Sequence, residues 1–104
     1  MKTAIAKNSS SKKGSVNMKC SELEKNRPVV CRVWNCEHTK QEITDGSVIY
    51  VLPNRRTVCV GYMDNYHYRT DDVPYEDMIA AHDPNGPEMK FDNIRGKSVL
   101  LTAE

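Results

Sequence analysis

The alternation of hydrophobic and polar positions is strongest in the middle of the chain. Residues 48–52 form an almost continuous apolar run, which is typical of a central strand, and residues 57–63 alternate with a period of two. Residues 53–56, with a proline and an asparagine, predict a turn between them. The two runs therefore predict a β-hairpin. Gly61 inside the second run predicts a bulge or a sharp bend.

Further strands are predicted on both sides of this hairpin. Residues 29–34 are mostly β-branched or aromatic, which favours a strand, and residues 98–102 predict a final strand. Residues 35–46 are polar and end in Asp45-Gly46, which predicts a loop closed by a turn. Residues 64–70 are compatible with either a third strand or a loop.

Helical signals are short. The segment Ser21-Glu22-Leu23-Glu24 matches a capping box, but Pro28 follows too soon for more than one turn. Pro74 with acidic residues after it favours a short helix or a single 3₁₀ turn. The pattern as a whole predicts an all-β protein, a small barrel or compact sandwich of five or six short strands with one short helical turn.

The first 19 residues differ from the rest of the chain in composition. They carry five lysines, four serines and a threonine, and no acidic residue. Such a segment cannot bury enough apolar surface to offset its ordering entropy. We therefore expect a disordered basic arm over residues 1–20 and one folded domain over residues 21–104. No apolar run suits a secretory signal or a membrane span, so the expected location is cytoplasmic, without membrane contact.

Two short segments carry a family resemblance. Residues 57–66, TVCVGYMDNY, and residues 71–78, DDVPYEDM, resemble the later strands of a Tudor-type barrel. That family has a Val-x-aromatic-x-Asp strand, a short turn and a Val-Pro-x-x-Asp-Leu-like helical turn. The resemblance implies a Tudor-like barrel with an aromatic cage that holds a methylated ammonium group by cation–π attraction. The implied cage residues are Tyr62, Asp64, Tyr66 and Tyr68.

The tyrosines and acids near the chain's centre predict a binding face. Aromatic side chains supply contact area, and carboxylates select a basic protein or peptide partner. The competing interpretation is that Tyr62 fills the core and the other tyrosines only cover the edge of the sheet. The candidate partner-binding residues are Tyr62, Asp64, Tyr66, Tyr68, Asp71 and Asp72.

A nucleic-acid surface is the alternative. Two arginines at the predicted hairpin tip and the lysine-rich arm could contact phosphates, and an aromatic residue could stack on bases. Residues 64–94, with eight acidic and two basic residues, would repel the same phosphates. The residues of this alternative site are Lys12, Lys13, Trp34, Arg55 and Arg56.

Catalytic and metal-binding patterns are weak. Cys31, Cys36 and His38 lie close in sequence but lack the second tight ligand pair of a zinc site, so zinc stays an open alternative to the expectation of no metal. No phosphate-binding glycine loop, nucleophile elbow or His-Glu-x-x-His motif occurs. We expect a non-enzymatic protein without a cofactor. A phage or plasmid inhibitor of a host enzyme is a further interpretation of a short chain with an acidic face.

Overall fold

A computed structural model describes residues 17–92 and 94–104. The predicted disordered arm lies mostly outside these residues. The described strands are β1 (Asn17–Lys19), β2 (Pro28–Trp34), β3 (Gln41–Leu52), β4 (Thr57–Asp64), β5 (His67–Pro74), β6 (Met78–His82), β7 (Glu88–Phe91) and β8 (Ile94–Thr102). Single 3₁₀ turns span Cys20–Glu22, Pro53–Arg55 and Tyr75–Asp77.

All the described strands belong to one curled sheet. Their order is β1-β8-β6-β2-β3-β4-β5, with β7 paired to the first half of β8. Among the described strands, only the β1–β8 pair is parallel. The all-β prediction is confirmed.

The sheet is not closed into the predicted barrel. The two end strands of the order, β1 and β5, do not pair with each other in the described part of the chain. In the described residues β1 pairs with β8 and β5 pairs with β4, and no ladder joins the two ends of the sheet order, so the continuous ring of strand pairs that a barrel requires is missing.

The core is built mainly from valines on alternate positions of β2 and β4. Small β-branched side chains suit the inside of a tightly curled sheet. Cys20 is fully buried in this cluster, so residues 17–20, assigned to the arm from sequence, contribute to the fold. The buried core residues are Cys20, Leu23, Val29, Cys31, Val33, Val48, Val58, Val60, Tyr62, Val73, Tyr75, Met78, Ala81 and Val99.

The hairpin of β3 and β4 forms as predicted, but its irregularity lies elsewhere. Val48 pairs with Val60 and Tyr50 with Cys59, so the extra residue is Ile49 in β3. Gly61 is regularly paired on both sides. The prediction of a bulge at Gly61 is therefore wrong, and this glycine has another role, described below.

The predicted turn at Asp45-Gly46 is also wrong. Both residues lie inside β3, paired with Val30 and Val29 of β2. The connection to β2 is the tighter turn of residues 35–40, in which the side-chain oxygen of Asn35 accepts a hydrogen bond from the Thr39 N–H at 2.9 Å.

Packing explains the glycine at position 46. A Cβ there would lie 2.6 Å from the carbonyl oxygen of Gly61 and 2.8 Å from a methyl carbon of Val60. The glycine lets the neighbouring strand approach closely, which a local turn signal does not distinguish from a real turn.

Candidate functional site

The hairpin of β4 and β5 divides the predicted binding residues between two faces of the sheet. Residues opposite each other on paired strands share a face, and the faces alternate along each strand. Tyr62 pairs with Arg69, and Val60 pairs with Asp71, on the core face. Met63 pairs with Tyr68 on the opposite face, which we call the outer face.

The core-face residues are held by one another. Tyr62 is only 5% exposed, and its hydroxyl donates a hydrogen bond to the carboxylate of Asp71. Burial, followed by the interaction with Asp71, raises the pKa of Tyr62 to about 12. Arg69 lies 3.6 Å from the carboxylate of Asp64. The Tyr62 ring packs in the core, so it offers little aromatic surface to a ligand.

The outer face of β3, β4 and β5 carries large exposed side chains. Tyr50 is 50% exposed, Met63 is 60% exposed and Tyr68 is 64% exposed. Tyr50 lies opposite Cys59, which in turn lies opposite Asp72. Each of the three strands therefore contributes an aromatic, sulfur or carboxylate group to the same side of the sheet.

A depression of about 280 Å³ lies on this face, towards the tip of the β4–β5 hairpin. Its floor is backbone, because two of its lining residues are glycines. Tyr68 and Met63 form its walls, and Asp45 adds a carboxylate. The lining residues are Asp45, Gly46, Ser47, Gly61, Tyr62, Met63 and Tyr68.

Tyr66 stands at the tip of the hairpin. Asn65 and Tyr66 have φ angles of 50° and 70°, which define a two-residue type I′ turn. This left-handed conformation is unfavourable for tyrosine by about 1–2 kcal/mol, whereas glycine adopts it without steric strain. Tyr66 is 97% exposed, so no contact within the described residues offsets this strain.

The three tyrosines of the implied cage do not surround one point. Tyr62 lies in the core, Tyr68 lies on the outer face, and Tyr66 projects from the turn between them. Asp64 and Asp71 are on the core face, whereas Asp72 is on the outer face. The structure thus separates the six predicted partner-binding residues instead of placing them on one surface.

Three residues of the outer face were missed from the sequence: Asp45, Tyr50 and Met63. The signal that could have found Met63 is the period of two, which puts it opposite in face to Tyr62. The face of Tyr50 could be assigned only with knowledge of the bulge at Ile49, because the bulge shifts the alternation of faces along β3. The face of Asp45 could be assigned only if β3 included residues 45 and 46, which the sequence predicts as a turn.

The residues of the nucleic-acid alternative are dispersed. Arg56 donates a hydrogen bond to the Ala103 carbonyl, and its guanidinium lies 5.3 Å from the centre of the Tyr75 ring. Arg55 is exposed next to it. Trp34 lies beside the other end of β3, a strand of 12 residues, hence roughly 35 Å away along the strand. Lys12 and Lys13 lie outside the described residues.

The zinc alternative has no geometric support in residues 17–92 and 94–104. Cys31 is buried, whereas Cys36 is exposed, and no group of three histidine, cysteine or acidic side chains in this part of the chain could hold a metal ion. Within the same residues, no helix has the length and apolar character to cross a membrane.

Comparisons with known proteins add no further information about this site. No protein-family model, curated protein or solved structure matches the chain. The resemblance to Tudor-type barrels stays a prediction.

Proposed function

We propose that this protein is a non-enzymatic binding module that recognises a basic protein or peptide partner through the outer face of β3, β4 and β5. The observation that carries this proposal is the exposure of Tyr50, Met63 and Tyr68, each at least half exposed, on the same side of three adjacent strands. Aromatic residues and methionine are enriched in protein interfaces, where they supply contact area at a small entropic cost.

The charges of the outer face favour a basic partner. Asp45 and Asp72 are both exposed on it. The residues whose side chains share this face on the three strands include no lysine or arginine. An approaching cation therefore meets carboxylates and π-systems on these three strands, which favours lysine or arginine side chains. The neighbouring positive charges lie at the margins, Arg55 beside Tyr50 and Arg32 on the adjoining strand β2.

Tyr66 extends this surface at one end. A fully exposed aromatic side chain held on a strained backbone makes no stabilising contact within the described residues, but it can insert into a partner's pocket as an anchor. We assign it that role, with Met63 and Tyr68 as the adjoining contacts.

Calorimetric titration with two synthetic peptides tests the proposal. One peptide is rich in lysine and arginine with a single leucine, and the other has glutamate in place of each basic residue. We expect binding of the basic peptide only, and loss of that binding in Met63→Ser and Tyr50→Ser. Leu100→Ser is the matched control, because Leu100 is an exposed apolar residue on β8, outside the surface.

Two results would overturn the proposal. One is equal binding of the basic peptide by the Met63→Ser and Leu100→Ser variants. The other is no binding of the basic peptide together with salt-sensitive binding of a mixed-sequence oligonucleotide, which would favour the nucleic-acid alternative.

A further inference from the structure

Within the described residues, strand β5 is a free edge of the sheet. It is the last strand in the sheet order, and no described strand pairs with the edge of β5 that points away from β4. Its eight residues, His67–Pro74, include no lysine, and the proline comes only at the end. Natural edge strands are usually short, bulged or protected by charged residues or proline, because a free edge readily pairs with another strand. The two charges on the core face of β5, Arg69 and Asp71, are of opposite sign, so they oppose pairing in some registers and favour it in others.

The turn at the hairpin tip determines which backbone groups face this edge. The hydrogen bond of a type I′ turn joins Asp64 and His67, so that pair is hydrogen-bonded. Hydrogen-bonded pairs alternate along an antiparallel ladder, which assigns Arg69 and Asp71 to bonds with β4. The N–H and C=O groups of the intervening residues point to the free side. Those residues are Tyr68, Thr70 and Asp72.

We propose that β5 pairs antiparallel with β5 of a second copy of this chain, about a two-fold axis that passes through Thr70. Thr70 then lies opposite Thr70, and Tyr68 lies opposite Asp72 of the second copy, both as hydrogen-bonded pairs. Arg69 lies opposite Asp71 of the second copy on the core face. The two-fold symmetry makes the arginine–aspartate contact twice.

The charges select this register over its neighbours. A shift by two residues in one direction places Arg69 opposite Arg69, and a shift in the other direction places Asp71 opposite Asp71. Like charges directly opposite each other destabilise a strand pair. The second shift also brings Pro74, which has no N–H, into the ladder. A shift by one residue places the edge-facing backbone groups of one strand opposite groups that face β4 in the other, and it places core-face side chains opposite outer-face side chains.

The surroundings of β5 leave room for this pairing. The ring of Tyr68 lies over Gly61 of β4, away from the free edge. The side chains of Arg69 and Asp64 remain about a third exposed, so Arg69 can also reach a second carboxylate. The dimer would join two outer faces into one continuous surface, but its existence does not depend on the proposed function.

Sedimentation equilibrium of the full chain over a range of concentrations tests the proposal. We expect a mass that rises from 11.8 kDa toward twice that value. Thr70→Pro removes an N–H that faces outward and makes no bond within the sheet, so it should weaken self-association about ten-fold or more without unfolding the monomer. Thr70→Val keeps the N–H and the branched side chain, and this matched control should still dimerise.

Charge reversal gives a second, independent test. Arg69→Asp and Asp71→Arg should each be monomeric, because each places like charges across the axis. An equimolar mixture of the two variants should form a mixed dimer, since positions 69 and 71 of one variant then face opposite charges at positions 71 and 69 of the other.

A chain that stays monomeric at all concentrations would overturn the proposal, as would a dimer that is unaffected by Thr70→Pro. Failure of the two folded charge variants to associate when mixed would also overturn it. If a charge variant fails to fold, because Arg69 contacts Asp64 or Asp71 contacts Tyr62, the comparison of Thr70→Pro with Thr70→Val decides the question.

Discussion

The ring of Tyr68 on β5 lies over Gly61 on β4, in the space that a side chain at position 61 would occupy. A Cβ on Gly61 would overlap the Tyr68 hydroxyl and come within 2.7 Å of the ring carbon that bears it. Glycine is normally unfavourable inside a strand, and an aromatic residue on the neighbouring strand can cover it. The pair thus supplies both the floor and a wall of the outer-face depression.

Gly61→Ala should displace the Tyr68 ring. We expect a loss of stability of about 1–3 kcal/mol from the overlap, together with weaker binding of the basic peptide. Urea denaturation measures the first effect and calorimetry the second. Adding Tyr68→Ser to Gly61→Ala removes the overlap, so the double variant should be more stable than the two single losses predict. Simple additivity of the two losses would contradict the contact.

Tyr66→Gly should separate stability from binding. Glycine adopts the left-handed conformation of this turn without a steric cost, so we expect the free energy of unfolding to rise by about 0.5–1 kcal/mol. The same variant should bind the basic peptide more weakly, because the anchor is gone. Tyr66→Ala, which also lacks the ring but keeps the backbone cost, is the control and should gain no stability. A destabilised Tyr66→Gly variant would contradict the strain.

Stability should decline in alkaline solution. Burial, with smaller contributions from nearby carboxylates, raises the pKa of the Cys31 thiol from 9.0 to about 12. Below pH 9 this thiol is protonated in both states. Between pH 9 and about 12 only the unfolded state releases the proton, so stability falls with rising pH, by up to about 1.4 kcal/mol per pH unit. Tyr62 acts in the same direction at the upper end of this range.

Urea denaturation at pH 7.5 and 10.5 measures this effect. Cys31→Ala should show a smaller fall between the two pH values than the unmodified chain. Cys36→Ala, which changes an exposed thiol, should leave the fall unchanged. A fall of equal size in all three proteins would show that Cys31 does not cause it.

Trimethylation of a lysine should not tighten binding of the basic peptide. Cage recognition requires several aromatic faces around one ammonium group, and the tyrosines here project to three different places. Calorimetry with matched lysine and trimethyl-lysine peptides checks this expectation. A ten-fold or larger preference for the trimethylated peptide would instead indicate a cage formed on binding.

The sequence predicted where most strands lie, but it was less informative about which residues of neighbouring strands lie opposite each other. The period of two correctly separated Tyr62 from Met63, yet the faces of residues 68–72 depend on the register of β5. That register follows from a two-residue turn in which tyrosine occupies a position that usually holds glycine. The family resemblance implied a short turn after Asp64, but the residues there did not indicate its length or type. Gly46 had the opposite problem: it resembled a turn residue, but a contact with a distant strand explains it.

The most direct test of the binding face is an amide-resolved NMR titration of the labelled protein with the basic peptide. We predict chemical-shift changes concentrated at Tyr50, Gly61, Met63, Tyr68 and Asp72, and their disappearance in Met63→Ser but not in Leu100→Ser. Changes centred on Arg55 or Trp34, or changes that persist in Met63→Ser, would contradict the assignment of the outer face as the partner-binding surface.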